Sequence, residues 1–431
     1  MNSAFSATTP ATGQRSAITA LFILALINLL NYYDRMLVVV VSQPLRIEFG
    51  LSDTQYGLLT GPVFVLVYAL ASLYFGYLAD RRSRRNVLAI AVGLWSVTTA
   101  LCGAASNFLT LALARGGVGV GEGGSNPAGM SLLSDHFPPQ RRSMALAIFA
   151  AGGMIGLFLS FVLGSWINEH YGWRAVFLIA GLPGLLLALA TVIFVGEPQR
   201  GRFEIAAPRQ IGYLAGLGRL VRNPAFVWLA AAASFGAFSS LGMMVWLPQF
   251  FIRTHGLSVQ EVGLLFGPAA ALGLCAGMIA GGWLGNRLAL RSLASPVSIC
   301  IGATLALIPM YLLVLWHPSL TLALVATFIA MATSVLFAPA YQAAIQNVCE
   351  PHLRATGAAV SNVAIAIVGQ GALPLSVGLM SDAFMNTAGN AALQWALTAA
   401  QGFAIASALL FVIARISTGA HFDRVRATTT A

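Results

Sequence analysis

Twelve long apolar runs follow one another along this chain, and they constrain its fold more than any other feature. A membrane-spanning helix needs about 20 predominantly apolar residues. Only 8% of the residues are charged, against about 25% in an average soluble domain, so a soluble globule of this length would lack charges for its surface. The sequence therefore predicts an all-α polytopic membrane protein with twelve transmembrane helices. The runs lie at 17–41, 55–79, 86–105, 108–134, 143–166, 173–195, 224–251, 259–285, 293–315, 319–348, 355–380 and 392–415.

The positive charge of the chain is unevenly distributed between the segments that connect these runs. With the N-terminus in the cytoplasm, 18 of the 23 arginines fall in cytoplasmic segments, and only Arg46, Arg174 and Arg253 lie on the other face. Such a bias is the positive-inside rule. It predicts cytoplasmic N- and C-termini and a multi-pass protein of the cell membrane, of the bacterial inner-membrane type. The net charge of +10 therefore indicates orientation in a lipid bilayer and no nucleic-acid partner.

The two halves of the chain repeat each other. Residues 50–85 and 256–291 align at an offset of 206 residues, and 13 of the 36 aligned positions are identical. The repeat predicts two six-helix bundles, at 1–196 and 223–431, joined by a cytoplasmic linker at 197–222. Tandem six-helix repeats place a solute site between the halves, near the middle of the membrane.

The segment GYLADRRSRR, at 76–85, resembles the G-x-x-x-D-R-x-x-R-R signature that major facilitator superfamily transporters carry between helices 2 and 3. The resemblance implies the superfamily's fold, with two pseudo-symmetric six-helix bundles. It also implies a conformational latch on the cytoplasmic side; the alternative is that the arginines only fix orientation and the acid caps a helix. The latch residues would be Gly76, Asp80, Arg81, Arg84 and Arg85.

The first half also resembles the spinster branch of that superfamily, in NYYDR at 31–35 and in the glycine-rich stretch 115–149. That branch is associated with proton coupling and with export of lysophospholipid-like lipids. Both elements are shared more loosely with organic anion symporters, so a sugar-acid or aromatic-acid:proton symporter remains the alternative. Helix 5 lacks the Gly-Pro motif of drug antiporters, which disfavours a drug efflux antiporter.

Four charges lie well inside predicted spans, away from the span ends, where an ionised side chain is costly and usually faces a cavity or another charge. Arginine holds phosphate or carboxylate groups in a bidentate manner. Arg35 and Arg115 are therefore candidates for binding an anionic head group. Asp34 and Glu122 are candidates for exchanging a proton. The competing interpretation is a static buried quartet that only fixes helix packing.

The second half carries no comparable charges within its spans, and we expect an apolar to weakly polar wall there. Such an asymmetry suits a solute with an anionic or zwitterionic head and an apolar tail. The residues expected to contact it are Trp246, Tyr341, Gln342 and Asn362.

Other function classes find little support in the sequence. The chain has no lysine, which excludes a Walker-type nucleotide loop, and its six histidines are scattered without metal-ligand spacing. We therefore expect no cofactor, no metal and no enzymatic activity. The sequence predicts a monomeric secondary active transporter that works by alternating access, coupled to protons, for an organic anion or a lipid-like amphiphile.

Overall fold

The computed structural model describes residues 11–200, 213–289, 295–350 and 353–430, and all regular structure in these ranges is helical. In the first range the helices are α1 (Ala11–Val40), α2 (Ser42–Phe49), α3 (Asp53–Thr60), α4 (Pro62–Arg81), α5 (Arg84–Gly103), α6 (Phe108–His136) and α7 (Pro139–Phe194). In the other ranges they are α8 (Tyr213–Arg222), α9 (Pro224–His255), α10 (Val259–Ala289), α11 (Ser295–Trp316), α12 (Leu320–Val348), α13 (Arg354–Ile365), α14 (Leu373–Ala388), α15 (Ala392–Ala400) and α16 (Gly402–Thr430).

These helices supply the twelve predicted crossings. Nine stretches of the described residues are long and apolar enough to span a membrane, and two of them, Gln140–Phe194 and Thr356–Gly419, have room for two crossings each. The first is divided at Gly172, whose φ of 79° interrupts the helix. α6 supplies the remaining crossing, because its length suffices although glycines and buried charges lower its hydropathy. The predicted polytopic helical fold is confirmed.

Two details of the backbone were not predicted. The linker predicted at 197–222 contains α8, while residues 201–212 lie outside the described ranges. A π-helical segment, Ala366–Ala372, connects α13 to α14. π-helical turns are rare and occur frequently at functional sites.

The chain forms two compact units whose boundaries differ from those of the sequence halves. The first unit comprises residues 1–36, 67–160 and 174–205, and the second comprises 37–66, 161–173 and 206–431. The second unit thus contains α2, α3 and parts of α1, α4 and α7 from the first half of the sequence. The two six-helix domains inferred from the repeat stay a prediction.

Glycines allow several helix pairs to pack backbone against backbone. In the first unit, a Cβ on Gly121 of α6 would lie 2.5 Å from the backbone nitrogen of Trp95 in α5. In the second unit, a Cβ on Gly277 of α10 would lie 2.7 Å from Cα of Ala332 in α12. Small residues at such positions are the usual means by which membrane helices approach closely.

We expect Gly277→Ala to lower the thermal stability of the purified protein, because the added methyl group forces α10 away from α12. Overpacking of this kind typically costs about 1–3 kcal/mol. The matched control is Gly302→Ala on α11, where an added Cβ meets no atom within 4 Å. The control should melt at or slightly above the wild-type temperature, and equal melting temperatures for both variants would contradict the packing argument.

Candidate functional site

The centre of the first unit contains an ion pair between α1 and α6. The Arg35 guanidinium binds one oxygen of Glu122, Oε2, with Nη2 at 2.9 Å and Nε at 3.2 Å. The Glu122 side chain is fully buried, whereas the Arg35 side chain is 17% exposed. The other oxygen, Oε1 of Glu122, is buried and accepts no hydrogen bond from the described residues.

Arg35 is further held by its neighbours. Its guanidinium carbon lies 5.5 Å from the ring centre of Tyr32 and 5.2 Å from that of Tyr68, and Nη2 also donates to Oδ1 of Asn31 at 3.4 Å. Cation–π contacts of this kind favour a charged guanidinium over the ring faces. Arg35 is therefore fixed in place while part of it remains accessible.

Arg115 has a different role from Arg35. Its guanidinium is buried on α6 and donates to the backbone carbonyl oxygens of Arg35 at 2.9 Å and Asp34 at 3.5 Å. These contacts fasten α6 to α1. They direct Arg115 toward the backbone of α1, the helix that carries Asp34 and Arg35.

Asp34 lies beside this contact and faces α5. It is 1% exposed, and its Oδ2 accepts a hydrogen bond from the Thr99 hydroxyl at 3.3 Å. The other carboxylate oxygen, Oδ1, is buried without a hydrogen-bond partner in the described ranges. The structure thus brings together all four charges that the sequence placed within the membrane, and each acid has one unsatisfied oxygen.

The four residues expected on the wall of the second half fall into two groups. Gln342 and Asn362 are exposed enough to meet a solute and are joined by a hydrogen bond from Nε2 to Oδ1 of 3.2 Å. Trp246 is fully buried and donates to the carbonyl oxygen of Pro374 at 3.2 Å. Tyr341 is 2% exposed within an apolar cluster. In this conformation the geometry therefore favours Gln342 and Asn362 as the accessible pair.

The segment that resembles the superfamily signature is anchored by Arg84. Its side chain is 1% exposed and binds Asp135 at the end of α6 and Glu197 after α7, the latter at 2.9 Å. Its neighbours Asp80, Arg81 and Arg85 lie toward the surface: Arg81 binds Tyr77, and Asp80 forms no ion pair with any described residue. Gly76 lies on α4, where an added Cβ would lie 3.9 Å from the Cβ of Pro127.

Glu197 completes this anchor. Although burial alone would raise its pKa, hydrogen bonds from the Arg85 amide, the Arg84 side chain and the Ser83 hydroxyl hold the pKa of Glu197 below its usual range. The carboxylate is therefore stabilised in its charged form where it joins the end of α7 to the start of α5.

A second charged cluster, which the sequence analysis missed, lies in the second unit. The buried carboxylate of Asp53, at the start of α3, is bound by Arg46 of α2 and by both terminal nitrogens of Arg253 in α9, at 2.6 and 2.9 Å. The Ser381 hydroxyl donates to the same carboxylate at 2.6 Å. We call Arg46, Asp53, Arg253, Ser381 and Asp382 the Asp53 cluster.

Asp382 of α14 completes the Asp53 cluster by capping α3. Its two carboxylate oxygens accept the backbone amides of Asp53 at 3.1 Å and Thr54 at 2.9 Å. A carboxylate at a helix N-terminus satisfies free amides and complements the helix dipole. The sequence did contain a signal for this cluster, since Arg46 and Arg253 are two of the three arginines that break the orientation bias.

Comparison with known proteins identifies the family. The family model for the Major Facilitator Superfamily matches residues 24–374. The chain belongs to the major facilitator superfamily. An MFS-type efflux pump of Mycolicibacterium smegmatis is 35% identical over 389 residues, which cover 89% of each chain. The sphingosine-1-phosphate transporter SPNS2 of Danio rerio is 25% identical, over 86% of this chain and 78% of that protein.

A solved structure agrees with this family and branch. It is the crystal structure of a bacterial homolog to the human lysosomal transporter Spinster, in an inward-facing and unoccupied conformation. The two chains superpose with a TM-score of 0.85 at 28% identity, over 94% of this chain and 98% of that one. The resemblance to the spinster branch is confirmed, and so is the membership of a family of multi-pass membrane transporters.

We expect Asp53→Asn to destabilise the protein strongly, because it leaves Arg46 and Arg253 without the charge that both bind. Breaking a buried ion pair from one side costs about 3–5 kcal/mol. The control is Arg219→Ala, which removes an ion pair with Glu350 in which both side chains are more than half exposed, and exposed pairs contribute about 0–1 kcal/mol. Thermal unfolding in detergent measures both, and a similar small loss for the two variants would contradict a buried network.

The lowered pKa of Glu197 predicts how stability depends on pH. Stability gained from the charged carboxylate is present above its ordinary pKa and is lost as pH falls through the lowered value. Glu197→Gln should therefore reduce the decline in melting temperature between neutral pH and about pH 3. Glu169→Gln, at an exposed acid of α7, should leave that decline as in the wild type.

Proposed function

We propose that this major facilitator superfamily protein is a proton-coupled secondary transporter for an organic anion or an anionic amphiphile, such as a lysophospholipid-like solute. The observation that carries the proposal is the buried pair of Arg35 and Glu122, in which the arginine is partly exposed and the acid is not. We further propose that it acts as a monomer in the cell membrane, with both termini in the cytoplasm.

Arg35 is the proposed contact for the anionic group of the solute. Phosphate and carboxylate groups match the planar guanidinium, and Arg35 is the accessible arginine of the pair that the sequence analysis assigned to substrate binding. Arg115 is buried against the backbone of α1 and is proposed to hold Arg35 and Asp34 at the correct place. This refines the expectation that both arginines meet the solute.

Proton coupling follows from the competition for Arg35. When an anionic solute takes over the guanidinium, Glu122 loses its main counter-ion while it remains fully buried. Burial without a counter-ion favours the protonated acid. Solute binding and proton uptake therefore support each other, and by linkage each raises the affinity for the other. Asp34, also buried and incompletely bonded, is the second proposed proton site.

The second half of the chain would meet the rest of the solute. Gln342 and Asn362 are proposed contacts, since both are accessible and their amides already face each other. Tyr341 and Trp246 are proposed to act from beneath the surface, by shaping the wall on which an apolar tail lies. The relative described as a sphingosine-1-phosphate transporter supports a lipid-like solute.

Two anchors would govern the alternation of access. The Asp53 cluster joins the start of α3 and the end of α9 to α2 and to the middle of α14, and we propose that it closes the side of the protein opposite to the cytoplasm. The segment around Arg84 is proposed to be the cytoplasmic latch, with Gly76, Asp80, Arg81 and Arg85 as its remaining members. Its Asp80 is free of ion pairs within the described residues, as expected of a latch that is not engaged.

A second candidate function is efflux of an amphipathic compound in exchange for protons. The observation that favours it is the 35% identity to the MFS-type efflux pump over 89% of the chain. In an exchanger, solute and proton compete for the site, so their affinities oppose each other. In the leading proposal, low pH strengthens solute binding.

A thermal-shift screen of the purified protein against lysolipids, sugar acids and amphipathic cations tests the solute class. A true ligand should raise the melting temperature in proportion to RT ln(1 + [L]/Kd). Stabilisation by lysolipids that increases as pH falls supports the leading proposal. Stabilisation by amphipathic cations that decreases as pH falls supports the exchanger, and stabilisation by sugar acids alone supports the anion symporter.

We expect Glu122→Gln and Asp34→Asn to reduce or abolish the dependence of transport on an imposed pH gradient, because each removes a proposed proton site. Uptake of the identified solute into proteoliposomes, with and without the gradient, measures the effect. Exchange of labelled for unlabelled solute at equal pH should survive in both variants, which shows that they fold and bind. Wild-type gradient dependence in both variants would refute the coupling.

A further inference from the structure

The carboxylate of Asp34 has one neighbour whose role is unexplained, the indole of Trp95 on α5. Trp95 is fully buried, and its Nε1 hydrogen donor has no hydrogen-bond partner among the described residues. Buried polar groups without a partner are rare and costly, so each one needs a physical reason. The ring is large enough to fill space without an N–H group, which leaves the donor itself to be accounted for.

The unsatisfied donor and an unsatisfied acceptor lie next to each other. Trp95 adjoins the Asp34 carboxylate, whose Oδ1 is likewise buried without a partner, while the other oxygen accepts from Thr99. Thr99 and Trp95 are four residues apart on α5 and therefore lie on the same face of that helix. One donor of α5 thus binds one oxygen of the acid on α1, and a second donor on the same face of α5 lies beside the carboxylate whose other oxygen is unsatisfied.

The distance between α5 and α6 is fixed at Trp95. Gly121 of α6 packs against the Trp95 backbone so closely that a Cβ would lie 2.5 Å from its nitrogen. α6 in turn holds α1 through Arg115. The helix that carries the donors and the helix that carries the acid are therefore both held against α6, so the position of α6 sets how Trp95 and Asp34 lie relative to each other.

We propose that Trp95, together with Thr99, is a positioning residue for Asp34: its indole N–H donates to Oδ1 of Asp34 in the state of the transport cycle in which that carboxylate is charged. In the conformation seen here the indole lies beside the carboxylate while its N–H and Oδ1 both lack a well-formed hydrogen bond among the described residues, and the bond tightens when the acid releases its proton. The inference rests on the proposed function, because it requires Asp34 to change its charge. What the inference adds is an uncharged hydrogen-bond donor on a third helix, α5, that sets the pH at which Asp34 changes its charge.

Other ionisable groups surround the same carboxylate and must be kept constant in a test. Tyr33 and Arg35 lie on α1 itself, Arg115 and Glu122 face it from α6, and Cys102 faces it from α5. None of them is changed by a substitution at Trp95 or Thr99. A shift in titration can therefore be attributed to the lost donor.

The test is an infrared titration of the full chain in liposomes, which follows the carboxylic-acid C=O band against pH and needs no solute. Asp34→Asn identifies the part of the band that belongs to Asp34. Trp95→Phe should move the midpoint of that part upward by about one pH unit, a tenfold change in its protonation equilibrium, because a donor to the charged form has been removed. Thr99→Val should move it in the same direction, and Thr99→Ser, which keeps the hydroxyl, should leave it in place.

Trp228→Phe serves as the matched control, since this tryptophan is exposed on α9 and its replacement should not move the midpoint. If Trp95→Phe fails to fold, Thr99→Val against Thr99→Ser tests the same face of α5. An unchanged midpoint in both Trp95→Phe and Thr99→Val overturns the inference while proton exchange at Asp34 stands. If Asp34→Asn removes no part of the titrating band, Asp34 does not exchange a proton, and that part of the proposed function fails instead.

Discussion

The Arg35–Glu122 ion pair is the interaction on which the rest of this structure depends. A charge at the centre of a membrane helix is costly, and here two acids and two arginines share one small region of the first unit. Pairing lowers the cost of each charge only while the partners remain in contact. The contact is therefore sensitive to any group that separates Arg35 from Glu122, which is the role proposed above for the anionic solute and the proton.

The surrounding helices are built to hold this pair with little freedom. Arg115 ties α6 to the backbone of α1, the glycines of α6 allow α5 to approach, and two tyrosine rings cover the Arg35 guanidinium. Each of these groups is either uncharged or buried, so none of them would compete with Arg35 for an anionic solute. The result is a fixed frame around the partly exposed Arg35 side chain, which would give the proposed site the preorganisation that selective binding requires.

Much of this architecture could be predicted from the sequence because its physical causes are local. The length and apolarity of each run determine a crossing, and the scarcity of charge made Asp34, Arg35, Arg115 and Glu122 conspicuous. The exposure of individual side chains could not be predicted, because it depends on which helices pack together. Trp246 and Tyr341 look like wall residues by composition, yet they are buried among partners distant in sequence. The Asp53 cluster was not predicted for the same reason, since its members come from four separate helices.

If the Asp53 cluster closes one side of the protein, as proposed, its bonding has a consequence for how opening proceeds in time. One carboxylate accepts from Arg46, Arg253 and Ser381, and the amide of the same residue is held by Asp382. Releasing any one partner leaves the others in place, so the four helices separate at this point only when several bonds are lost together. Such an arrangement resists small displacements and then yields at a threshold. Opening should accordingly be abrupt and infrequent, and intermediate separations of the helices should be scarcely populated. This would limit leakage of small ions while the solute is bound.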